Sequence, residues 1–189
     1  MTLTAIDPTS ALVVIDLQHG ILAIPGSPYP GGEVLARSVR LADAFRAAGR
    51  PVVLVRVTTA ADGADAVPGR TEAPRRQGPP PAGWDVLAPE LAGHDGDVLV
   101  TKRNWSAFYG TDLDLQLRRR GITQIVLAGI ATSIGVESTA RAAHEHGYHV
   151  TLAVDAMTDM NGDAHRNSVE RIFPRLGETG TTDEVLALL

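Results

Sequence analysis

The chain has 189 residues, 44% of them hydrophobic, which is enough for one sizeable core and too little for two. A net charge of -5 excludes nucleic acid as a default partner, because phosphates need a basic patch. There is no cysteine, which excludes disulfides, thiolate metal sites and a thiol nucleophile.

The opening residues, MTLTAIDPTS, show neither the charged nor the apolar part of a signal peptide. No apolar run approaches the roughly 18 residues of a membrane span. The expectation is one domain over residues 1–189, soluble and cytoplasmic, with no membrane partner. Ala11 to Leu17, ALVVIDL, is an apolar run broken by Asp16, and reads as a buried strand with an acid near its carboxyl end. In open α/β sheets that end is where ligands bind. A Pro- and Gly-rich loop follows, from Gln18 to Gly32. Glu33 to Ala48 carries one apolar face (Val34, Leu35, Val39, Leu41, Ala42 and Phe45) and predicts a helix stopped by Gly49.

Pro51 to Val57 is a second strand. Thr58 to Gly83 has no periodicity and is rich in Ala, Gly and Pro, so it reads as a loop that covers a site or makes an oligomer contact. Trp84 to Leu91 suggests a short helical turn. Asp97 to Thr101 is a third strand, with Lys102 at its end. Thr111 to Arg120 is a helix stopped by Gly121. Ile125 to Ala128 is a fourth strand, buried on both faces, and Gly129 ends it. Thr132 and Ser133 are N-cap types, and Ile134, Val136, Thr139, Ala140 and Ala143 begin a helix that runs to Gly147. His149 to Val154 is a fifth strand ending in Asp155, whose expected role is structural. A helix over Gly162 to Phe173, a short strand at Gly177 to Thr179, and a capping box at Thr181 to Glu184 complete the chain. Strands alternate with helices throughout. That predicts an α/β fold: one doubly wound, mostly parallel sheet of about six strands, with helices on both faces.

A strand that turns sharply into a helix aims free N–H groups at whatever lies above the strand's end. Where such a turn often carries a nucleophile, this chain has Gly135. Either the backbone does the work there, or the site has lost its chemistry.

Three stretches, VVIDLQ, TKRNWSAFYGTDL and GIATSIGVESTARAAHEHGYHVTLAVDAMTD, resemble the isochorismatase-like hydrolase superfamily, which includes nicotinamidases and carbamoylsarcosine amidases. The resemblance implies a homodimer or larger homo-oligomer acting on a small molecule, and a catalytic triad of Asp, Lys and Cys. Asp16 and Lys102 match the first two, and Gly135 stands at the cysteine's position. True isochorismatases also lack that cysteine; they cleave a vinyl ether without a covalent intermediate. The resemblance further implies a cis peptide at Ile130–Ala131. Nicotinamidases bind metal through Asp and His after the second strand, but TTAADGADAV has no His, so neither a metal nor a cofactor is expected.

The candidate site is therefore Asp16 as general acid or base, Lys102 orienting it and holding an anionic substrate group, and the N–H groups of Ala131 and Gly135 as an anion hole. Gln18, Trp105, Phe108 and Thr132 are expected around the pocket. A cation beside a carboxylate lowers its pKa, so Asp16 is expected to be ionised. A small-molecule-binding protein that kept this pocket and lost turnover is the alternative.

Overall fold

In the computed structural model, residues 3–67, 69–72 and 78–189 are described. Six strands pair in parallel: β1 (Ser10–Ile15), β2 (Val52–Val57), β3 (Val98–Lys102), β4 (Gln124–Ile130), β5 (His149–Thr158) and β6 (Glu178–Gly180). Their order across the sheet is β3-β2-β1-β4-β5-β6. The α-helices are α1 (His19–Leu22), α2 (Gly31–Ala47), α3 (Leu113–Arg119), α4 (Glu137–Glu145), α5 (Gly162–Asn167) and α6 (Thr182–Ala187).

Alternation along β1 explains the two faces. Ala11, Val13 and Ile15 pack under Leu113 and Leu117 of α3, Ala140 and Ala143 of α4, and Phe173. Leu12 and Val14 point the other way, toward Val34, Leu41, Ala42 and Phe45 of α2 and Val185 of α6. A strand covered on both sides has no solvent face, so its sequence is a continuous apolar run. The chain runs from β1 outward to β3, then returns to β4 on the other side of β1. The carboxyl ends of β1 and β4 therefore meet at the point where strand order reverses, the crevice where open α/β sheets bind ligands.

Some local expectations change. β5 runs to Thr158 and does not stop at Val154. Leu127 faces Leu152 but Gly129 faces Met157, so β5 bulges over Ala153 to Ala156. Asp155 sits in that bulge, and its carboxylate accepts from Thr182 N and Oγ1 at 2.6 and 2.9 Å. Its role is structural, as expected, but Asp159 is the acid beyond the strand's end. Trp84 to Leu91 forms turns and a bridge between Gln18 and Leu87, not a helical turn. The helix expected over Gly162 to Phe173 ends at Asn167; wider and tighter turns carry the chain on to Arg175. The capping box at Thr181 and Glu184 is present. Among the described residues no helix is long and apolar enough to cross a membrane.

Gly129 lets β4 and β1 approach at the crevice. Its φ is 121°, and a Cβ there would stand 2.1 Å from the Ile15 carbonyl oxygen. Gly129→Ala is expected to cost at least about 3 kcal/mol of unfolding free energy in urea denaturation. Gly32→Ala, where a Cβ meets nothing within 4 Å, should leave stability unchanged or slightly higher. Equal effects of the two substitutions would show that the clash at Gly129 is absorbed.

Candidate active site

Asp16 directly follows β1 and adopts φ 54°, a left-handed conformation that costs an L-residue about 1–2 kcal/mol. That turn redirects the backbone after Ile15, and the Asp16 N–H is held by the Val55 carbonyl at 2.9 Å. Its side chain is 7% exposed. Lys102 ends β3, two strands away, and reaches across β2 to place Nζ 2.7 Å from Asp16 Oδ2. The ammonium also donates to the carbonyls of Asn104 at 3.2 Å and Trp105 at 3.0 Å.

Three donors thus meet three acceptors. Lys102 has no N–H left for an anionic substrate group, and its expected role narrows to orienting Asp16. Asp16 Oδ1, in contrast, is buried without a hydrogen-bond partner. The expected fall in the Asp16 pKa is also corrected. Burial outweighs the attraction and hydrogen bond of Lys102 and raises the carboxyl from 3.8 to about 6.

Gly135 faces this pair. A Cβ at that position would lie 3.4 Å from Asp16 Oδ2, 3.5 Å from Lys102 Nζ and 3.0 Å from Ile15 Cγ2. The Ile130–Ala131 bond is cis, as the resemblance implied. A wide π-helical turn over Thr132–Val136 links β4 to α4. Within it, the Ala131 carbonyl accepts from Ile134 N at 3.2 Å and Val136 N at 3.1 Å.

Thr132 and Ser133 do not act as N-caps. Ser133 donates through N and Oγ to Asp159 Oδ2, at 2.7 and 2.8 Å, while Asp159 Oδ1 accepts from Asn161 N at 3.1 Å. Thr132 is buried, with Oγ1 2.8 Å from His165 Nδ1. Burial holds the His165 pKa below its ordinary value, with Asp159 working weakly the other way. Asp159 and His165 do not stand out in the sequence. Ending β5 early hid Asp159, although the apolar pair Ala156-Met157 before it was a usable signal. Nothing local distinguishes His165 from a helix-surface histidine.

Two residues expected at the pocket belong elsewhere. Gln18 is fully buried, and its amide bridges backbones: Nε2 donates to Val57 O at 3.0 Å and Trp84 O at 3.3 Å, and Oε1 accepts from Val57 N at 2.9 Å. Phe108 is core, 5.1 Å from the His146 ring and 5.9 Å from the Tyr148 ring. Trp105 does face open space. With Trp84, Asn104 and the loop after β2 it lines a cavity of about 880 Å³. Asp16, Lys102 and Gly135 lie outside that lining, but Asn104 and Trp105 join the two regions through their carbonyls.

Comparison with known proteins agrees with this geometry. Residues 10–184 match the isochorismatase domain. The isochorismatase family protein YecD of Escherichia coli O157:H7 is 48% identical over 181 residues, covering 96% of each chain. A ureidoacrylate amidohydrolase, RutB of Methylobacterium radiotolerans, is 33% identical over 195 residues, covering 89% of this chain and 75% of that protein. Among solved structures, an isochorismatase family protein from Burkholderia thailandensis superposes with a TM-score of 0.94 at 48% identity, covering 98% of this chain and 97% of that one. The N-carbamoylsarcosine amidase of Thermoplasma acidophilum gives 0.74 at 25% identity, covering 93% and 97%.

Both influences that lower the Asp16 pKa come from Lys102. Lys102→Met is therefore expected to move that pKa above about 6, read by carboxyl carbon NMR across pH. The sign for stability follows. A carboxyl whose folded pKa lies above its unfolded value of 3.8 favours folding below that value, and loses the contribution as pH rises through the folded pKa. In the variant that loss should extend to higher pH. An unchanged titration would mean that Lys102 does not set the charge of Asp16.

Proposed function

The chain belongs to the isochorismatase family, and from that premise we propose that it is a hydrolase of C–N bonds in small molecules that uses no covalent thiol intermediate. Asp16 is the general acid–base group, Lys102 orients it, and the N–H groups of Ala131 and Gly135 form the anion hole. The observation that carries this reading is the position of Gly135. A side chain there would begin within van der Waals reach of both members of the ion pair. With hydrogen in its place, no side chain stands between that turn and the ion pair, and the reading puts the attacking water there.

In this mechanism ionised Asp16, oriented by Lys102, takes a proton from water through its carboxylate. The water oxygen bonds to the substrate carbonyl carbon, and the negative charge that develops faces the two N–H groups. The C–N bond then breaks, and Asp16 returns the proton to the leaving nitrogen. The C–N assignment is supported by the relatives named as an amidohydrolase and an amidase. A binding protein of the same fold is the second reading, favoured by the missing thiol.

A screen of amides, imides and vinyl ethers gives the assay. With the substrate it finds, kcat/KM should rise with pH through about 6 and then level, following the ionisation of Asp16. A fall above that pH would assign Asp16 the acid role instead. Asp16→Asn should lower kcat by about 10²–10⁴-fold in a variant shown to be folded by circular dichroism. Gly135→Ala should lower it on the order of 100-fold by displacing the attacking water. No turnover of any compound, with small amides still bound, would favour the binding protein.

A further inference from the structure

We propose, resting on the hydrolase reading above, that Asp159 is a positioning residue: its carboxylate anchors the π-helical turn after β4 and so fixes the direction of the Ala131 and Gly135 N–H groups. Asp159 directly follows β5 and is 2% exposed. Oδ2 accepts from both donors of Ser133, N at 2.7 Å and Oγ at 2.8 Å. Ser133 stands two residues after Ala131 and two before Gly135, so a shift of its backbone reaches both. The Asp159 backbone is itself fixed from another side. Its carbonyl accepts from Ser27 N at 2.7 Å, and its N–H donates to the Ser27 carbonyl at 3.1 Å.

A cap for α5 alone would not need this arrangement. Asp159 Oδ1 accepts from Asn161 N at 3.1 Å, but Asn161 caps the helix with its own side chain, which accepts from Asp163 N and Ala164 N at 2.9 and 3.2 Å. One Asp159 oxygen serves the start of the helix, and the other is given to the turn. Two further contacts join the same elements. His165 Nδ1 of α5 lies 2.8 Å from Thr132 Oγ1, and Ser168 Oγ donates to Glu137 Oε2 of α4 at 2.6 Å. The turn is therefore braced at Thr132, Ser133 and Glu137, on both sides of Gly135. Asp16 and Lys102 take no part in these contacts, so loosening the brace should redirect the amides without retuning the acid–base group.

The test compares Asp159→Asn, Ser133→Ala and Asn161→Ala in the full chain. An amide has one accepting oxygen, so in Asp159→Asn either Ser133 or the Asn161 N–H must face an NH₂ group. With the substrate found in the screen, Asp159→Asn should lower kcat by about 10- to 100-fold, the order expected when anion-hole donors are misdirected. KM and the midpoint of the pH profile should stay near their wild-type values. Ser133→Ala keeps the N–H and loses only Oγ, so its loss should be of the same kind and smaller. Asn161→Ala removes the side chain that caps α5; it should lower the urea midpoint and leave kcat unchanged. Amide NMR reads the turn without turnover. In Asp159→Asn the Ala131 and Gly135 cross-peaks should move together with that of Ser133, whereas a mere cap would move only those of α5. The proposal is overturned if the Gly135 cross-peak stays in place, or if Asn161→Ala lowers kcat as much as Asp159→Asn. Should Asp159→Asn not fold, Ser133→Ala decides on the same two readouts. A wild type that turns over nothing, with the Gly135 cross-peak still moved in the variant, would sink only the hydrolase reading. An active wild type whose kcat survives Asp159→Asn would sink this proposal alone.

Discussion

The ion pair between Asp16 and Lys102 is the contact on which the site depends, and it is held in an unfavourable place for charge. Moving an ion from water to the protein interior costs several kcal/mol even after relaxation. For Lys102 the chain works against that cost with three acceptors, one carboxylate and two carbonyls around the ammonium. For Asp16 it does so by half, since Oδ2 is paired and Oδ1 has no partner. The asymmetry is informative. A pair serving stability alone is best with every lone pair satisfied, because a buried unpaired oxygen is expensive. Here the unsatisfied atom is Asp16 Oδ1.

The surrounding structure keeps that arrangement in register. Gly129 lets β4 lie against Ile15, so the turn after β4 begins beside Asp16. Asp159 takes two donors from Ser133 and one from Asn161, tying that turn to the start of α5. The Gln18 amide ties the end of β1 to β2 and to Trp84. Each contact fixes backbone, and backbone position decides where the Gly135 and Ala131 amides point.

The legible parts of the fold were those set by local pattern. Continuous apolar runs marked β1, β2 and β4 because those strands are buried on both faces. Asp16 and Lys102 stood out as charges beside such runs. What stayed hidden was set by tertiary contacts. The β5 bulge exists to turn Asp155 toward α6, and no period of two or 3.6 encodes a bulge. Gln18 and Phe108 looked like pocket residues from their neighbours in sequence; only packing shows one bridging backbones and the other inside the aromatic core. The direction of the Asp16 pKa is hidden from the sequence for the same reason. Sequence names the partner cation, but the depth of burial, which wins, belongs to the whole fold.

That burial has a chemical use in a site without a thiol. General bases work best with a pKa near the operating pH, and an ordinary aspartate is too weak a base to be well matched to water at neutrality. Burial raises Asp16 to about 6, and the pull of Lys102 keeps it from rising further. The carboxyl is then mostly ionised at pH 7, yet more basic than in water. Removing Lys102 would let the pKa rise further, and exposing the site would leave a weaker base. The two opposing influences hold Asp16 between an ordinary carboxylate and a fully buried acid, the range that the proposed base role needs. Gly135 belongs to the same arrangement, because a side chain at that turn would begin 3.4 Å from Asp16 Oδ2 and 3.5 Å from Lys102 Nζ.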